Sequence, residues 1–335
     1  MTRILALNEQ SIIEAASILR GGGLVGMPTE TVYGLAANAC DGVAVAKIFA
    51  AKGRPQFNPL IVHVNDLDAV AEFAHMSVQD EVIAQKFWPG ALTLILKCKE
   101  NCALSDLVSA GLPTVAVRIP SHKGARALIK ACGFPIAAPS ANKSGSLSPT
   151  TPAHVAQSLG MGVDLILADG ACAVGLESTV VDCTGDRPYV LRPGGVTAED
   201  LSEALGEDVG YSLGGNDKGE SVKSPVKSPG QLLKHYAPSI PVRLNAIDLE
   251  EGEALLSFGS IKFMGVKGAG AASDLSDDMV QNLSKEGDLY EAAANLFAMM
   301  RALDKPEHKA IAVMNIPDNG IGVAINDRLK RAANS

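Results

Sequence analysis

The stretch that most constrains this chain is Pro28-Thr29-Glu30-Thr31-Val32-Tyr33-Gly34-Leu35, continued by Lys52-Gly53-Arg54-Pro55-Gln56-Phe57-Asn58-Pro59-Leu60. An apolar run, Leu24-Val25-Gly26-Met27, ends at a proline and gives way to hydroxyls and one carboxylate, which reads as a strand opening into a site. Farther on, two cations flank one glycine. In an extended segment alternate side chains point the same way, so Lys52 and Arg54 are expected to share a face and converge on one polyanion, phosphate being the obvious candidate. Lysine offers a compact mobile charge and arginine a planar fork of donors, and together they can grip neighbouring phosphoryl groups. Taken alone, Lys-x-Arg reads first as a solvated surface pair.

A second stretch tips the balance. Pro135-Ile136-Ala137-Ala138-Pro139-Ser140-Ala141-Asn142-Lys143-Ser144-Gly145 runs a short apolar strand into a proline and then into small side chains able to donate to, and accept from, a ligand. Lys-x-Arg followed by Ser-x-Asn, each just after a strand-like run, is far rarer than either alone. Phe87-Trp88-Pro89-Gly90-Ala91-Leu92-Thr93, Glu177-Ser178-Thr179-Val180 and Leu191-Arg192-Pro193-Gly194 follow the same order as these motifs in one known family. On these residues the chain resembles the threonylcarbamoyl-AMP synthase family in its long, two-domain form. The resemblance is strong to about Pro193 and looser beyond Ser228.

At 335 residues there is room for about two domains and a substantial core. Aromatic residues make up only 4%, so neither a stacking platform for single strands nor a large aromatic core is expected. A net charge of −8 argues against a broad nucleic-acid-binding face, which needs clustered lysine and arginine, while leaving room for a locally basic cleft. No charged N-terminal region leads into an apolar block of signal-peptide length, and nowhere do about eighteen apolar residues run together. The protein is therefore expected to stay in the cytoplasm without membrane contact. Six cysteines include no Cys-x-x-Cys, so neither a metal site nor a disulfide framework is indicated, and they read as mostly buried thiols.

Along the chain, Asn8 caps an expected helix to about Arg20, stopped by Gly21 to Gly23, and strand-like Leu24 to Met27 follows. Helical patterns cover Gly42 to Ala51, Leu67 to Ala74, Val78 to Phe87 and Pro152 to Leu159. Strands are expected at Leu60 to Val64, Ala91 to Lys97, Thr114 to Pro120, Ile136 to Pro139, Leu165 to Ala168, Ser178 to Cys183 and Tyr189 to Leu191. On strict alternation Thr114, Ala116 and Arg118 face one way and Val115, Val117 and Ile119 the other. Short strands and helices out of strict alternation point to an α/β domain with a twisted mixed sheet. From Gly206 to Pro229 glycine, serine, lysine and proline dominate and periodicity vanishes, as in a linker. The division is thus a catalytic domain at 1–206, a linker and active-site lid at 207–239, and a small α/β domain at 240–335. In the last of these, strands are expected at Val242 to Leu244, Ala254 to Phe258 and Ala310 to Met314. An apolar stripe, Leu289, Ala293, Leu296, Phe297, Met300 and Leu303, marks one helix, and a final helix runs from about Ile321 to Ala332. No catalytic motif stands out there, so it reads as a lid or interaction module.

No Gly-x-x-x-x-Gly-Lys-Ser/Thr or Gly-x-Gly-x-x-Gly occurs, so any nucleotide must be held by scattered residues. The resemblance implies a YrdC-like N-terminal domain with a smaller Rossmann-like C-terminal domain. It also implies synthesis of threonylcarbamoyl-AMP and pyrophosphate from L-threonine, bicarbonate or carbon dioxide, and ATP with Mg²⁺. The product serves threonylcarbamoyladenosine formation beside the anticodon of tRNA through a downstream threonylcarbamoyl transferase complex, with tRNA only an indirect partner. Carried over position by position, Thr31, His63, Arg118, the Ala138 backbone and Ser178 form the threonine site. Lys52, Arg54, Asn58, Thr114, Ser140, Asn142, Ser148, Arg192 and Tyr236 form the ATP site, with Lys52 and Arg54 carrying the catalytic charge. Tyr236 belongs to Ser228-Pro229-Gly230-Gln231-Leu232-Leu233-Lys234-His235-Tyr236-Ala237-Pro238, which resembles the family's linker signature, and suggests an aromatic on a flexible segment closing over ATP.

Two other classes compete. An RNA-binding module is suggested by relatives of the first domain, against which the acidic net charge counts. A carbamoyl-adenylate enzyme of hydrogenase maturation carries a similar domain but adds zinc-binding cysteine pairs, which this sequence lacks.

Overall fold

The structure, a computed structural model, describes residues 2–55, 57–212, 235–260 and 278–334 and divides into two compact units. The first takes residues 2–144, 149–172 and 177–212; the second takes 145–148, 173–176 and the described residues from 235 onward. Most of the expected linker, at 213–234, lies outside the described residues, including the Gln231-Leu232-Leu233 part of its signature.

In the first unit, helices start where a short polar side chain accepts an otherwise orphaned backbone N–H. Asn8 caps Glu9–Arg20, Asp41 caps Gly42–Lys52, Ser77 caps Val78–Phe87, Thr151 caps Pro152–Leu159 and Thr197 caps Ala198–Leu205. Each such cap is worth about 1 kcal/mol. The strands are β1 (Ile4–Ala6), β2 (Val25–Met27), β3 (Gly34–Asn38), β4 (Ile61–His63), β5 (Ala74–His75) and β6 (Leu92–Cys98). They continue as β7 (Thr114–Arg118), β8 (Ile136–Ala137), β9 (Leu165–Ala168), β10 (Thr179–Asp182) and β11 (Tyr189–Arg192). Their order is β1-β9-β2-β3-β8-β4-β7-β6-β10-β11, with β5 also pairing β6. β4 runs parallel to β7 and β6 to β10, whereas β3/β8, β8/β4 and β7/β6 are antiparallel, so the sheet is mixed.

Helix coverage of this sheet is unequal, and that inequality makes room for a site. One face packs Leu35, Val62, Leu94, Val115, Val117 and Val181 against helical Val45, Ile48, Phe49, Ile83 and Val155. On the other face, helices Glu9–Arg20 and Lys123–Cys132 bring Ala15, Leu19, Leu128 and Ile129 onto Val25, Met27, Ala36, Ile136 and Leu165. Ile136 and His63 are register partners and so share that face. Two residues back along β4, Ile61 joins Ile95, Ala116, Val180 and Leu191 in a separate small cluster to which no helix contributes. Val115 and Val117 fall in the first core and Ala116 in this cluster, following the alternation read from sequence.

Three readings need correction or completion. The expected helix Leu67 to Ala74 stops at Ala71, because Ala74 and His75 pair with Cys98 and Lys97 as a short strand. The cysteines are not mostly buried: Cys132 and Cys172 are, Cys98, Cys102 and Cys183 are half-buried, and Cys40, in the turn after β3, is exposed. Strands β1 and β3 and helices Lys123–Cys132 and Ala198–Leu205 were not expected; the last two are amphipathic and legible in hindsight.

The second unit is a parallel sheet, as a Rossmann-like domain requires. β12 (Val242–Arg243), β13 (Glu253–Ser257), β14 (Val280–Asn282) and β15 (Ala310–Val313) lie in the order β12-β15-β13-β14. Helix Leu289–Leu303, capped by Asp288, buries Ala293, Leu296, Phe297, Met300 and Leu303, and helix Gly322–Ala333 ends the chain's described part. Among the described residues no helix is long and apolar enough to cross a membrane.

Gly194, just after β11, lies against the segment that leads into β10. A Cβ there would stand 2.3 Å from the Thr179 nitrogen, 2.4 Å from the Glu177 oxygen and 2.5 Å from the Ser178 carbonyl carbon. Backbone atoms cannot rotate away, so Gly194→Ala is expected to lower the free energy of unfolding by about 2 kcal/mol or more. Chemical denaturation checks this; an unchanged midpoint would show that the segment is free to yield.

Candidate active site

The polar turn after β2 is organised by one hydroxyl. Thr29 Oγ1 donates to the Val32 carbonyl at 2.6 Å and accepts from the Thr31 and Val32 N–H groups, both at 3.2 Å. This Thr29-centred turn fixes the backbone of Glu30 and Thr31, whose side chains are buried. Both meet Arg118, the last residue of β7. Its Nη1 donates to Thr31 Oγ1 at 2.7 Å, its Nη2 to Glu30 Oε1 at 2.5 Å, and its Nε to the Gly90 carbonyl at 3.1 Å. Three of the five guanidinium N–H groups are thus used, leaving one on each terminal nitrogen.

Burial acts to raise the Glu30 pKa, but the charge and hydrogen bond of Arg118 outweigh it and hold the carboxyl below its ordinary value. His63 is the register partner of Arg118 across the parallel β4/β7 pair. Burial, with the adjacent Arg118 charge, lowers its pKa to about 3, so the ring is neutral at physiological pH. Its Nδ1 lies 3.2 Å from the Ile61 carbonyl, and the Ile136 backbone also faces the ring.

Lys52 and Arg54 do converge, but not as alternate residues of a strand. Lys52 ends helix Gly42–Lys52, and Gly53 caps it in the left-handed conformation (φ 59°, ψ 35°). The Gly53 N–H returns to the Ala50 carbonyl and the Arg54 N–H to Phe49, the two bonds of a Schellman motif, so a helix end rather than a pleat sets the pair. Lys52 Nζ donates to the Ser140 and Asn142 carbonyls, each at 2.5 Å, tying the helix end to the Pro-Ser-Ala-Asn loop. Arg54 donates to the Pro59 carbonyl at 3.0 Å and the Asn58 carbonyl at 3.3 Å. Burial and then the Arg54 charge push the Lys52 pKa well below the ordinary lysine value, with Glu177 opposing.

The other expected residues are more widely distributed. Ser178 Oγ lies 2.7 Å from Thr93 Oγ1, and Arg192 Nη2 donates to the Ser178 carbonyl at 2.8 Å. The Ala138 N–H donates to the Ile61 carbonyl, and Gly34 bridges Ser140, which draws the Pro-Ser-Ala-Asn loop against β3 and β4. Thr114 is set apart at the other end of β7, four residues from Arg118 and so about 13 Å along the strand, with Ala116 between them. Ser148 and Tyr236 belong to the second unit. Tyr236 is buried, its ring stacked 5.5 Å from Phe297 with the Arg328 guanidinium 5.2 Å over its face.

Glu30, Thr93 and Glu177 were not singled out as site residues, although each sits inside a quoted motif. Their signal was a polar side chain next to a strand end that turns out to be buried.

Asn58 is fully buried and neither its Oδ1 nor its Nδ2 has a hydrogen-bond partner among the described residues. An amide in that state costs stability and is retained for another purpose. Asn58→Leu, similar in size and free of polar atoms, is expected to leave the melting temperature unchanged or raise it. A fall of several degrees would show that the amide supports the fold.

Comparison with known proteins identifies the family. A family model described as telomere recombination, covering Sua5, YciO and YrdC proteins, matches residues 17–194, and the model of the threonylcarbamoyl-AMP synthase C-terminal domain matches residues 196–334. The threonylcarbamoyl-AMP synthase of Bacillus subtilis is 41% identical over 99% of this chain and 96% of its own length. That of Pyrococcus abyssi is 38% identical over 98% and 95%. The crystal structure of P. abyssi Sua5 complexed with L-threonine superimposes with a TM-score of 0.84 at 35% identity, covering 99% of this chain and 97% of the other. With both family models matched in order along one chain, this protein belongs to the threonylcarbamoyl-AMP synthase family in its two-domain form.

Proposed function

We propose that this protein is a nucleotidyltransferase that makes threonylcarbamoyl-AMP and pyrophosphate from L-threonine, bicarbonate or carbon dioxide, and Mg²⁺-bound ATP. The observation that carries the reading is the presence in the first unit of two buried groups of charged and polar side chains. One is Arg118 with Thr31 and His63, suited to an amino acid; the other is Lys52 with Arg54, suited to phosphates. A relative of the same two-domain form has been crystallised with L-threonine, which supports the first half.

In this reading the two unused N–H groups of Arg118 take the threonine carboxylate, adding roughly 1.5–3 kcal/mol as charge-assisted hydrogen bonds. Thr31, the neutral His63 imidazole, the Ala138 backbone and Ser178 surround the rest of the amino acid. Once its amine has added to carbon dioxide, the carbamate oxygen attacks the α-phosphorus in line and pyrophosphate leaves. An ionised carbamate is already a nucleophile, so the protein's task is alignment and neutralisation of charge on the phosphate oxygens. Lys52 and Arg54 serve that task, with Asn58, Thr114, Ser140, Asn142 and Arg192 as further nucleotide contacts. For Ser148 and Tyr236 the assignment to ATP rests on the family resemblance alone. Among the described residues no group of three or more His, Cys, Asp or Glu side chains could hold a metal, so Mg²⁺ is assigned to the triphosphate as part of the substrate. The product would pass in the cytoplasm to a threonylcarbamoyl transferase complex acting on tRNA next to the anticodon.

The test is pyrophosphate release with ATP and bicarbonate across all amino acids: threonine alone should support it. Arg54→Ala should cut that rate at least about 100-fold with little change in melting temperature. Survival of the activity would remove Arg54 from the phosphate site.

Lys52 yields a second, independent check. A lysine whose pKa is depressed in the free protein regains its proton when a polyanion arrives beside it. ATP binding should therefore take up a proton at pH values between that depressed value and the ordinary 10.5. Calorimetry in buffers of different ionisation enthalpy measures the uptake, which Lys52→Met should abolish. Uptake that persists in the variant would assign the proton elsewhere.

A further inference from the structure

Glu30 has a place in the site that the functional reading leaves unused. Its carboxylate is buried, 10% of the side chain being exposed; Oε1 accepts from Arg118, and the backbone N–H groups of Glu30 and Ser121 also face the carboxylate. Oε2 is buried and has no hydrogen-bond partner among the described residues. The charges around it are few: Arg118 is cationic, His63 is neutral, and the thiol of Cys172, which also senses Glu30 and Arg118, is held protonated by burial. Arg118 and Glu30 together make a recess of zero net charge with a positive and a negative pole side by side.

An α-amino acid has the same two poles in the opposite order. Its carboxylate suits the remaining N–H groups of Arg118, and its ammonium needs an anion beside that position. Without one, the ammonium would enter a water-poor site uncompensated. We propose that Glu30 is the residue that selects a zwitterion: its carboxylate accepts an N–H of the substrate's α-ammonium while Arg118 holds the substrate's carboxylate. The proposal rests on the reading of this site as an amino-acid site, and it gives Glu30 a binding and specificity role separate from orienting Arg118. Thr31 already holds Nη1 and Gly90 holds Nε, so the guanidinium keeps two anchors when Glu30 loses its charge.

The experiment measures binding to the full-length protein by calorimetry, with L-threonine and with 2,3-dihydroxybutyrate, in which a hydroxyl replaces the ammonium. The unaltered protein should prefer threonine by at least about thirtyfold. Glu30→Gln should weaken threonine by a similar factor, leave dihydroxybutyrate binding unchanged or tighter, and leave ATP affinity unaltered. Equal weakening of both ligands would mean that Glu30 acts only by holding Arg118, and unchanged threonine binding would mean that it touches no ammonium; either overturns the proposal. Should Glu30→Gln fail to fold, Glu30→Asp decides the matter, because a retained charge must retain the preference for threonine and its loss overturns the assignment. An unaltered protein that binds neither ligand overturns the functional reading itself, and this proposal with it.

Discussion

Burying the Arg118 guanidinium at the carboxyl end of β7 obliges other segments of the chain to come to it. A buried cation without partners is not tolerated, and removing one partner of such a pair typically costs about 3–5 kcal/mol. Here the compensation comes from Glu30 and Thr31 in the turn after β2 and from the Gly90 carbonyl before β6. The three attachments are 28 to 88 residues away in sequence, so they tie distant parts of the first unit to one point on the sheet. The Thr29-centred turn, the β4/β7 register and the neutrality of His63 all belong to this arrangement.

A second centre is built by different means. Lys52 and Arg54 are placed by a helix terminus whose glycine cap reverses the chain, and the lysine is then locked onto two carbonyls of the Pro-Ser-Ala-Asn loop. Burial, and then the neighbouring Arg54 charge, lower the Lys52 pKa, and a polyanionic ligand beside it would favour the protonated lysine. On the same sheet Ile61, Ile95, Ala116, Val180 and Leu191 form a separate buried apolar cluster.

The second unit shows a contrasting logic. Its parallel sheet carries its own charged cluster, Arg243 on β12 gripping Glu253 and Asp248, and elsewhere the Tyr236 ring is set between Phe297 and Arg328. Tyr236 takes a left-handed backbone conformation (φ 62°), unusual for an aromatic residue, and its neighbours in this unit hold it there.

Sequence by itself determined the helix starts, through side chains that cap their own next turn, and most strands, through alternation that any half-buried pleat imposes. It also determined which short segments carry chemistry, because runs such as Pro-Thr-Glu-Thr and Lys-Gly-Arg-Pro break the apolar pattern just where strands or helices end. Only the tertiary structure decided which of those groups pair. The partner of Glu30 lies 88 residues away, and whether a carboxylate there is solvated or buried against a guanidinium depends on strand order, which local pattern does not encode. Likewise Lys52 and Arg54 were legible as a pair of cations, but the helix cap that joins them, and the two loop carbonyls that hold Lys52, exist only once the chain has packed.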